Sequence, residues 1–217
     1  MPLFAVLWSV VLTLLLFLAA YVPAFMISSA LHLSLEAMVP EVIAVSLVVV
    51  CTLMGIAIWR RWLSSAEFGW RWPSARYVVY ALTLAVPLSA LVAWILSRVA
   101  EPGPLAGLHL SSWQAYIYFA LAAPVQEEVI FRGLLQSTLA KSLASVKGLA
   151  VASGLIASLV VAALFGVIHL KVGPVTASAA LLLGVLAGEL KRGSGSLLPG
   201  MLCHAIFNLG GLVWVTH

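Results

Sequence analysis

The chain has 217 residues, of which 64% are hydrophobic and only 8% are charged, and its net charge is +4. Its mean hydropathy is +1.16. A soluble domain carries about 25% charged residues, so this composition excludes a soluble protein. Only α-helices and closed barrels span a bilayer. Since the apolar runs are long and show no alternation of polar and apolar residues, we predict an all-α integral membrane protein.

We predict a bundle of seven transmembrane helices that forms a single domain, residues 1–217, with a polar cavity inside the membrane. Residues 1–112 hold the N-terminal spans and an interfacial segment, and residues 113–211 hold the motifs described below. No soluble domain fits between the spans. The predicted spans are 3–25, 40–59, 77–97, 113–140, 148–169, 174–190 and 196–215.

Basic residues fall on one side of this bundle when the N-terminus is placed in the cytoplasm. The outer loops then hold only Arg98 and Lys171, and Arg132 lies within a span. Positive charge is enriched in cytoplasmic loops, so we predict a multi-pass protein of the cell (inner) membrane with its N-terminus inside and its C-terminus outside. This placement at span ends argues against a nucleic-acid partner. The predicted cytoplasmic bases are Arg60, Arg61, Arg71, Arg76, Lys141, Lys147, Lys191 and Arg192.

Between the second and third spans, residues 60–76 alternate arginine with tryptophan and phenylalanine. Such a pattern can stack on RNA bases. Between two membrane spans, however, it is typical of an interfacial belt or a short helix on the membrane surface. We therefore predict that this segment contacts the bilayer interface.

The fourth span carries Glu127, Glu128 and Arg132 near its middle. Charge inside a membrane is expensive and indicates a functional site. Glu128 and Arg132 are four residues apart, which places them on one face of a helix as an ion pair. Adjacent helical residues point roughly 100° apart, so Glu127 faces a different neighbour. We predict that Glu127 acts as a general base or acid.

Two later spans carry histidines at helical spacing. Phe165 and His169 lie one turn apart near the end of the fifth span, and His204 and Asn208 lie one turn apart in the seventh. A carboxylate and an imidazole can draw a proton from a shared water molecule. A second imidazole and a carboxamide can stabilise an oxyanion. We assign no function to the other histidines, His32, His109 and His217.

Together these residue types predict amide hydrolysis without a covalent nucleophile. The sequence has no aspartate and no His-Glu-x-x-His, which excludes a two-aspartate protease and one class of helix-borne zinc site. Three alternatives stay open. The charged residues can form a buried ion network that only holds the helices together. The histidines can bind haem. Zinc can be bound by Glu127, His169 and His204.

The motifs resemble those of the CAAX-protease and bacteriocin-processing (CPBP) family, which includes type II CAAX prenyl endopeptidases and ABI-type intramembrane proteases. The resemblance covers about residues 113–211. Phe131-Arg132-Gly133 after the first motif and Arg192-Gly193-Ser194 before the third are also similar to the family. The motifs, in order on separate predicted spans, are Glu127-Glu128-x-x-x-Arg132, Phe165-x-x-x-His169 and His204-x-x-x-Asn208.

This resemblance implies an intramembrane glutamate protease that requires no cofactor. Glu127 would activate the water with help from His169, and His204 and Asn208 would stabilise the oxyanion. Glu128 would belong to the catalytic set, whereas Arg132 and Phe165 would support it.

The implied substrate is a membrane-anchored protein or peptide, cut near its C-terminus. The predicted topology places His169 near the outer face, so we expect the site to open outward. An alternative is a non-catalytic membrane binding or bacteriocin-immunity protein of the same fold.

Overall fold

The computed structural model describes isolated positions within 4–31 and the residues 35–61, 63–99 and 116–215. Within these residues the fold is all-α, with eight α-helices and two stretches of π-helix, π1 and π2. The predicted span 3–25 is described only at isolated positions, and His32, His109 and His217 lie outside the described residues. In chain order the elements are α1 Leu35–Trp59, α2 Ser65–Phe68, α3 Ala75–Leu96, π1 Tyr118–Ala122, α4 Ala123–Glu128, π2 Val129–Gln136, α5 Ser137–Ala144, α6 Ser153–His169, α7 Pro174–Ser194 and α8 Leu198–Val215.

In the described part of the chain, α3 and α7 are long and apolar enough to cross a membrane, and shorter apolar helices cover Ile43–Trp59, Ser153–His169 and Leu198–Leu212. From residue 40 onward the predicted spans coincide with helices wherever the structure describes them, but four predicted bounds were wrong. α1 begins at Leu35 rather than at residue 40, and α5 ends at Ala144 rather than at residue 140. α6 begins at Ser153 rather than at residue 148, and α7 continues to Ser194 rather than ending at residue 190. The longer α7 places Lys191 inside a helix, where its side chain is buried, and not in a loop as predicted.

The helical stretch from Tyr118 to Ala144 changes its hydrogen-bond pattern several times. The six residues of α4 lie between the five-residue π1 and the eight-residue π2. A π-helix uses bonds from residue i to i+5, and such stretches occur often at functional sites. Every residue of π2 is buried. The motif glutamates therefore lie at the end of α4, where it passes into π2.

Small residues let the helices around this stretch approach closely. A Cβ atom on Gly184 of α7 would lie 3.0 Å from Cα of Ala162 on α6 and 3.3 Å from Nη2 of Arg132. Glycine and alanine at helix contacts allow this close packing in membranes. The glycine therefore brings α7 against both α6 and the charged face of π2.

The segment between α1 and α3 contains the predicted short helix, α2. Ser64 caps it, since its hydroxyl accepts a hydrogen bond from the N–H of Glu67 while the Glu67 carboxylate accepts one from the N–H of Ser64. Hydrogen bonding from the Ser64 backbone and from Lys141, which lies 3.0 Å away, lowers the pKa of Glu67. Gly69 ends the helix in the left-handed conformation, with φ of 98°.

We call residues 64–72 the strap, because they fasten together elements that carry the site. The buried ring of Phe68 packs directly on Gly133 in π2. The Gly69 carbonyl accepts a hydrogen bond of 2.9 Å from the N–H of Leu197, just before α8. Arg71 donates to the carbonyl of Ser194 at the end of α7. The strap therefore joins π2, α7 and α8 on one side of the bundle.

Candidate active site

Glu128 and Arg132 form the ion pair that their spacing predicts. Nη1 of Arg132 lies 3.0 Å from Oε1 of Glu128, and both side chains are buried. The guanidinium carbon also lies 4.7 Å from the centre of the Phe165 ring, in cation–π contact. The ion pair is not aligned as a hydrogen bond, and Oε2 of Glu128 and Nη2 of Arg132 have no hydrogen-bond partner among the described residues. Buried charges that are only partly satisfied add little stability.

Both motif glutamates contact the imidazole of His204, which α8 carries. Nδ1 of His204 lies 3.1 Å from Oε1 of Glu128, and Nε2 lies 3.8 Å from Oε2 of Glu127. Because a carboxylate only accepts hydrogen bonds, Nδ1 carries a proton and donates a hydrogen bond to Glu128. The side chain of Glu127 is 20% exposed, whereas that of Glu128 is fully buried. The two carboxylates thus meet opposite sides of one ring in different surroundings.

His169 ends α6, and its own helix fixes its tautomer. Nδ1 lies 2.7 Å from the carbonyl oxygen of Phe165. Since a carbonyl only accepts, Nδ1 donates, and in the neutral ring Nε2 keeps a lone pair that can take a proton. The Phe165 ring contacts the ring of His169 at a centroid distance of 4.7 Å and that of His204 at 5.7 Å. One buried phenylalanine therefore places both histidines around itself.

Asn208 lies one turn after His204 on α8 and is half-buried. Its Nδ2 donates a hydrogen bond of 2.7 Å to the carbonyl of Phe119 in π1. This bond fixes which end of the carboxamide is the nitrogen and leaves the second N–H of that nitrogen for another acceptor. The contact ties α8 to the helical stretch that carries the glutamates.

Sequence reasoning missed a second polar contact beside the glutamates. Gln126 and Ser46 are both buried, and the Ser46 hydroxyl donates a hydrogen bond of 2.8 Å to Oε1 of Gln126. The bond links α1 to α4 and so opposes rotation of the helix that carries Glu127. A polar Gln directly before two glutamates in an apolar run is the signal that could have indicated it.

The zinc alternative takes Glu127, His169 and His204 as the ligands. Among the described residues, no group of three or more His, Cys, Asp or Glu side chains is placed to hold a metal ion. The structure brings Glu127, Glu128, Arg132 and Phe165 together around His204, and His169 joins this set through Phe165. A carboxylate, two imidazoles and a carboxamide, carried here by three helices, can activate water and stabilise an oxyanion.

Comparison with known proteins gives one family. Residues 108–210 match the family model described as "Rce1-like: Type II CAAX prenyl endopeptidase Rce1-like". The matched range includes every predicted site residue, from Glu127 to Asn208. No curated protein and no solved structure is significantly similar to the chain.

Proposed function

Because the chain belongs to the Rce1-like family of type II CAAX prenyl endopeptidases, which are intramembrane glutamate proteases, we propose that it hydrolyses a peptide bond of a membrane-anchored protein with a water molecule activated by Glu127. The observation that carries this assignment is the contact of Glu127 and Glu128 with the two nitrogens of one imidazole. Glu127 is the more exposed of the two carboxylates, so it is the one that water and substrate can reach.

The proposed reaction begins with removal of a proton from water by the Glu127 carboxylate, with Nε2 of His169 accepting a hydrogen bond from the same water. The water oxygen forms a bond to the carbonyl carbon of the scissile amide, and the carbonyl electrons move to oxygen. When the tetrahedral intermediate collapses, the C–N bond breaks and the proton held by Glu127 passes to the leaving nitrogen. The products are a carboxylic acid and an amine.

In this scheme the oxyanion is stabilised from α8. Nδ1 of His204 is bonded to Glu128, and in the protonated ring Nε2 also carries a proton that it can donate to the oxyanion. Asn208 supplies its second N–H, since the first is bonded to Phe119. Each well-placed donor of this kind contributes about 10²- to 10³-fold to the rate.

We extend the proposal to the membrane. All the apolar helices would span it in the predicted seven-helix topology, with the N-terminus inside and His169 near the outer face. A site that opens outward suits exported or membrane-anchored substrates, cut near the C-terminus. A reporter enzyme fused to the loop after His169 tests this orientation, because an external signal supports it and a cytoplasmic signal contradicts it.

The direct test compares cleavage of a membrane-tethered substrate by the wild type and by Glu127→Ala. Glu189→Ala is a matched control, since the Glu189 side chain is 31% exposed and forms an ion pair with Arg192 on the same helix. We expect loss of cleavage with the first variant only. Equal cleavage by the wild type and by Glu127→Ala would reject the glutamate mechanism. Mass spectrometry of protein C-termini from cells with and without the protein then identifies the substrate.

A further inference from the structure

Lys191 is a buried cation that the proposed reaction does not use. It lies in the last turn of α7 and is 7% exposed. Its ammonium group donates to the backbone carbonyl of Arg132, at 2.5 Å, and to the hydroxyl of Ser137. An ammonium group is costly to bury, and here it contacts two neutral oxygens instead of a carboxylate. A helix-end lysine chosen for solvation or for orientation in the membrane would point outward, as Arg192 beside it does.

The two acceptors of Lys191 lie in the middle of π2 and at the point where π2 passes into α5. Arg132 is within π2, and Ser137 is the first residue of α5. At such a transition the backbone carbonyls change their bonding partners, and side-chain donors can fix the change. Ser137 in turn donates to the carbonyl of Glu67 in the strap, at 2.7 Å. Lys191 thus joins α7 to π2 and to the start of α5, and through Ser137 to the strap.

From this point a continuous series of contacts leads to the catalytic ring. The backbone of Arg132 bonds to Lys191, and its guanidinium group lies 3.0 Å from Glu128. Oε1 of Glu128 accepts the hydrogen bond from Nδ1 of His204. A change in the backbone hydrogen-bond pattern of π2 at Arg132 would move the Arg132 guanidinium group and with it Glu128. The contact that sets the orientation of the His204 ring would then change.

We infer that Lys191 is a positioning residue for the proposed proteolysis. Its ammonium group fixes the backbone hydrogen-bond pattern of π2 at Arg132, and this keeps Glu128 in place to orient His204. The inference rests on the proposed function for its catalytic consequence only. Side chains that support catalytic groups in this way hold them within a fraction of an ångström of their productive geometry.

The fold has a separate contact between π2 and α7 that remains when Lys191 is replaced. Nε2 of Gln136 donates to the carbonyl of Gly188, one turn before Lys191 on α7, at 3.2 Å. We therefore expect Lys191→Met, which keeps an apolar stem of similar length, to preserve the packing of α7. Lys191→Gln keeps a neutral donor and replaces Lys191→Met in the experiment if the Met variant is not recovered folded.

The experiment measures kcat and KM of the full-length protein on a membrane-tethered substrate, together with the ¹⁵N resonances of the His204 ring in selectively labelled protein. Arg192→Met is the matched control, because Arg192 is adjacent but pairs with Glu189 on the surface. For Lys191→Met we expect kcat to fall roughly tenfold to a hundredfold, as for a small misplacement of catalytic groups. KM should stay within about twofold, since substrate binding is not the step affected. The Nδ1 resonance of His204 should shift, and Arg192→Met should match the wild type.

Two results would overturn the inference. One is an unchanged kcat with an unchanged His204 spectrum. The other is a fall in activity that only follows the amount of folded protein, with the His204 spectrum unchanged in the folded fraction, because Lys191 would then be structural. If the wild type and Glu127→Ala cleave equally, the proposed function fails instead. The His204 spectrum of Lys191→Met still tests the positioning role in that case.

Discussion

The site has two parts that hold their polar groups in opposite ways. The buried part of the site contains Glu128, Arg132 and Lys191, whose exposed fractions are 0%, 0% and 7%. The reactive part contains Glu127, His169 and Asn208 and is partly exposed. The buried part carries the fixed charges, and the reactive part carries the groups that the proposed reaction brings to the substrate. His204 lies between them, because one ring nitrogen contacts each part.

This difference separates two requirements of a protease inside a membrane. Charges that must not move are taken out of water, where their interactions are stronger. Groups that must exchange protons with water stay within its reach. Substitutions in the reactive part should therefore reduce activity without unfolding the protein, and substitutions in the buried part should reduce stability as well.

The largest effect is expected in the reactive part, for Glu127→Gln. The amide has nearly the same shape but cannot take a proton, so kcat/KM should fall by about 10³-fold. The apparent melting temperature in detergent should stay close to that of the wild type, since Glu127 is outside the buried ion pair. Steady-state kinetics and thermal unfolding of the same preparation check both statements. A large loss of stability would show that Glu127 belongs to the buried part of the site.

In the buried part, Arg132→Met should destabilise the fold by about 3 to 5 kcal/mol, the usual cost of leaving a buried charge without its partner. Glu128 is then buried without its cation. The double variant Glu128→Gln with Arg132→Met should recover part of the loss, because it removes both charges. Denaturant unfolding in detergent measures the three variants. Equal stability of Arg132→Met and the wild type would contradict the ion pair.

A smaller effect on stability is expected where the strap contacts π2, which carries part of the buried site. In Gly133→Ala the new Cβ would lie 2.5 Å from Cζ of Phe68, an overpacking that costs about 1 to 3 kcal/mol. Gly55→Ala in α1 is the matched control, since no atom lies within 4 Å of its added Cβ. If the two variants have the same stability, the ring of Phe68 does not pack on π2 as described.

The smallest effect is expected at the rim of the strap, for Glu67→Gln. The ion pair with Lys141 is exposed and contributes less than about 1 kcal/mol. The pKa of Glu67 is lowered from 4.5 in the folded protein, so its contribution is present above pH 4.5 and is lost as the pH falls through the lowered pKa. The difference in melting temperature between the wild type and Glu67→Gln should therefore disappear in acid. A difference that persists at the lowest pH would contradict this origin.

Relations within one helix could be predicted from the sequence. The ion pair between Glu128 and Arg132 follows from their spacing, and from residue 40 onward the predicted spans coincide with helices wherever the structure describes them. The end of α7 was wrong because a Gly-Ser-Gly-Ser stretch favours a turn, whereas the helix continues through Gly193 to Ser194. That error also placed Lys191 in a loop.

Relations between helices could not be predicted in the same way. Glu128 and His204 are 76 residues apart, and nothing local in the sequence requires them to meet. The π stretches also leave no clear pattern, because an apolar run reads the same with bonds to i+4 or to i+5. Nothing in the aromatic pattern of residues 60–76 indicated that Phe68 packs on Gly133, where only a residue without a side chain leaves room for the ring.

The π stretch before α5 has a consequence for how this sequence tolerates changes in length. A π segment is in effect an α-helix with a surplus residue. Deleting one residue between Val129 and Gln136 would let the stretch relax to ordinary helix, and each residue after the deletion would turn by roughly 100°. Gln136 and Ser137 would then leave α7, and Lys191 would lose its contact with the Ser137 hydroxyl. A chain shortened by one residue here could retain all its motifs and its helices and still have a misaligned active site.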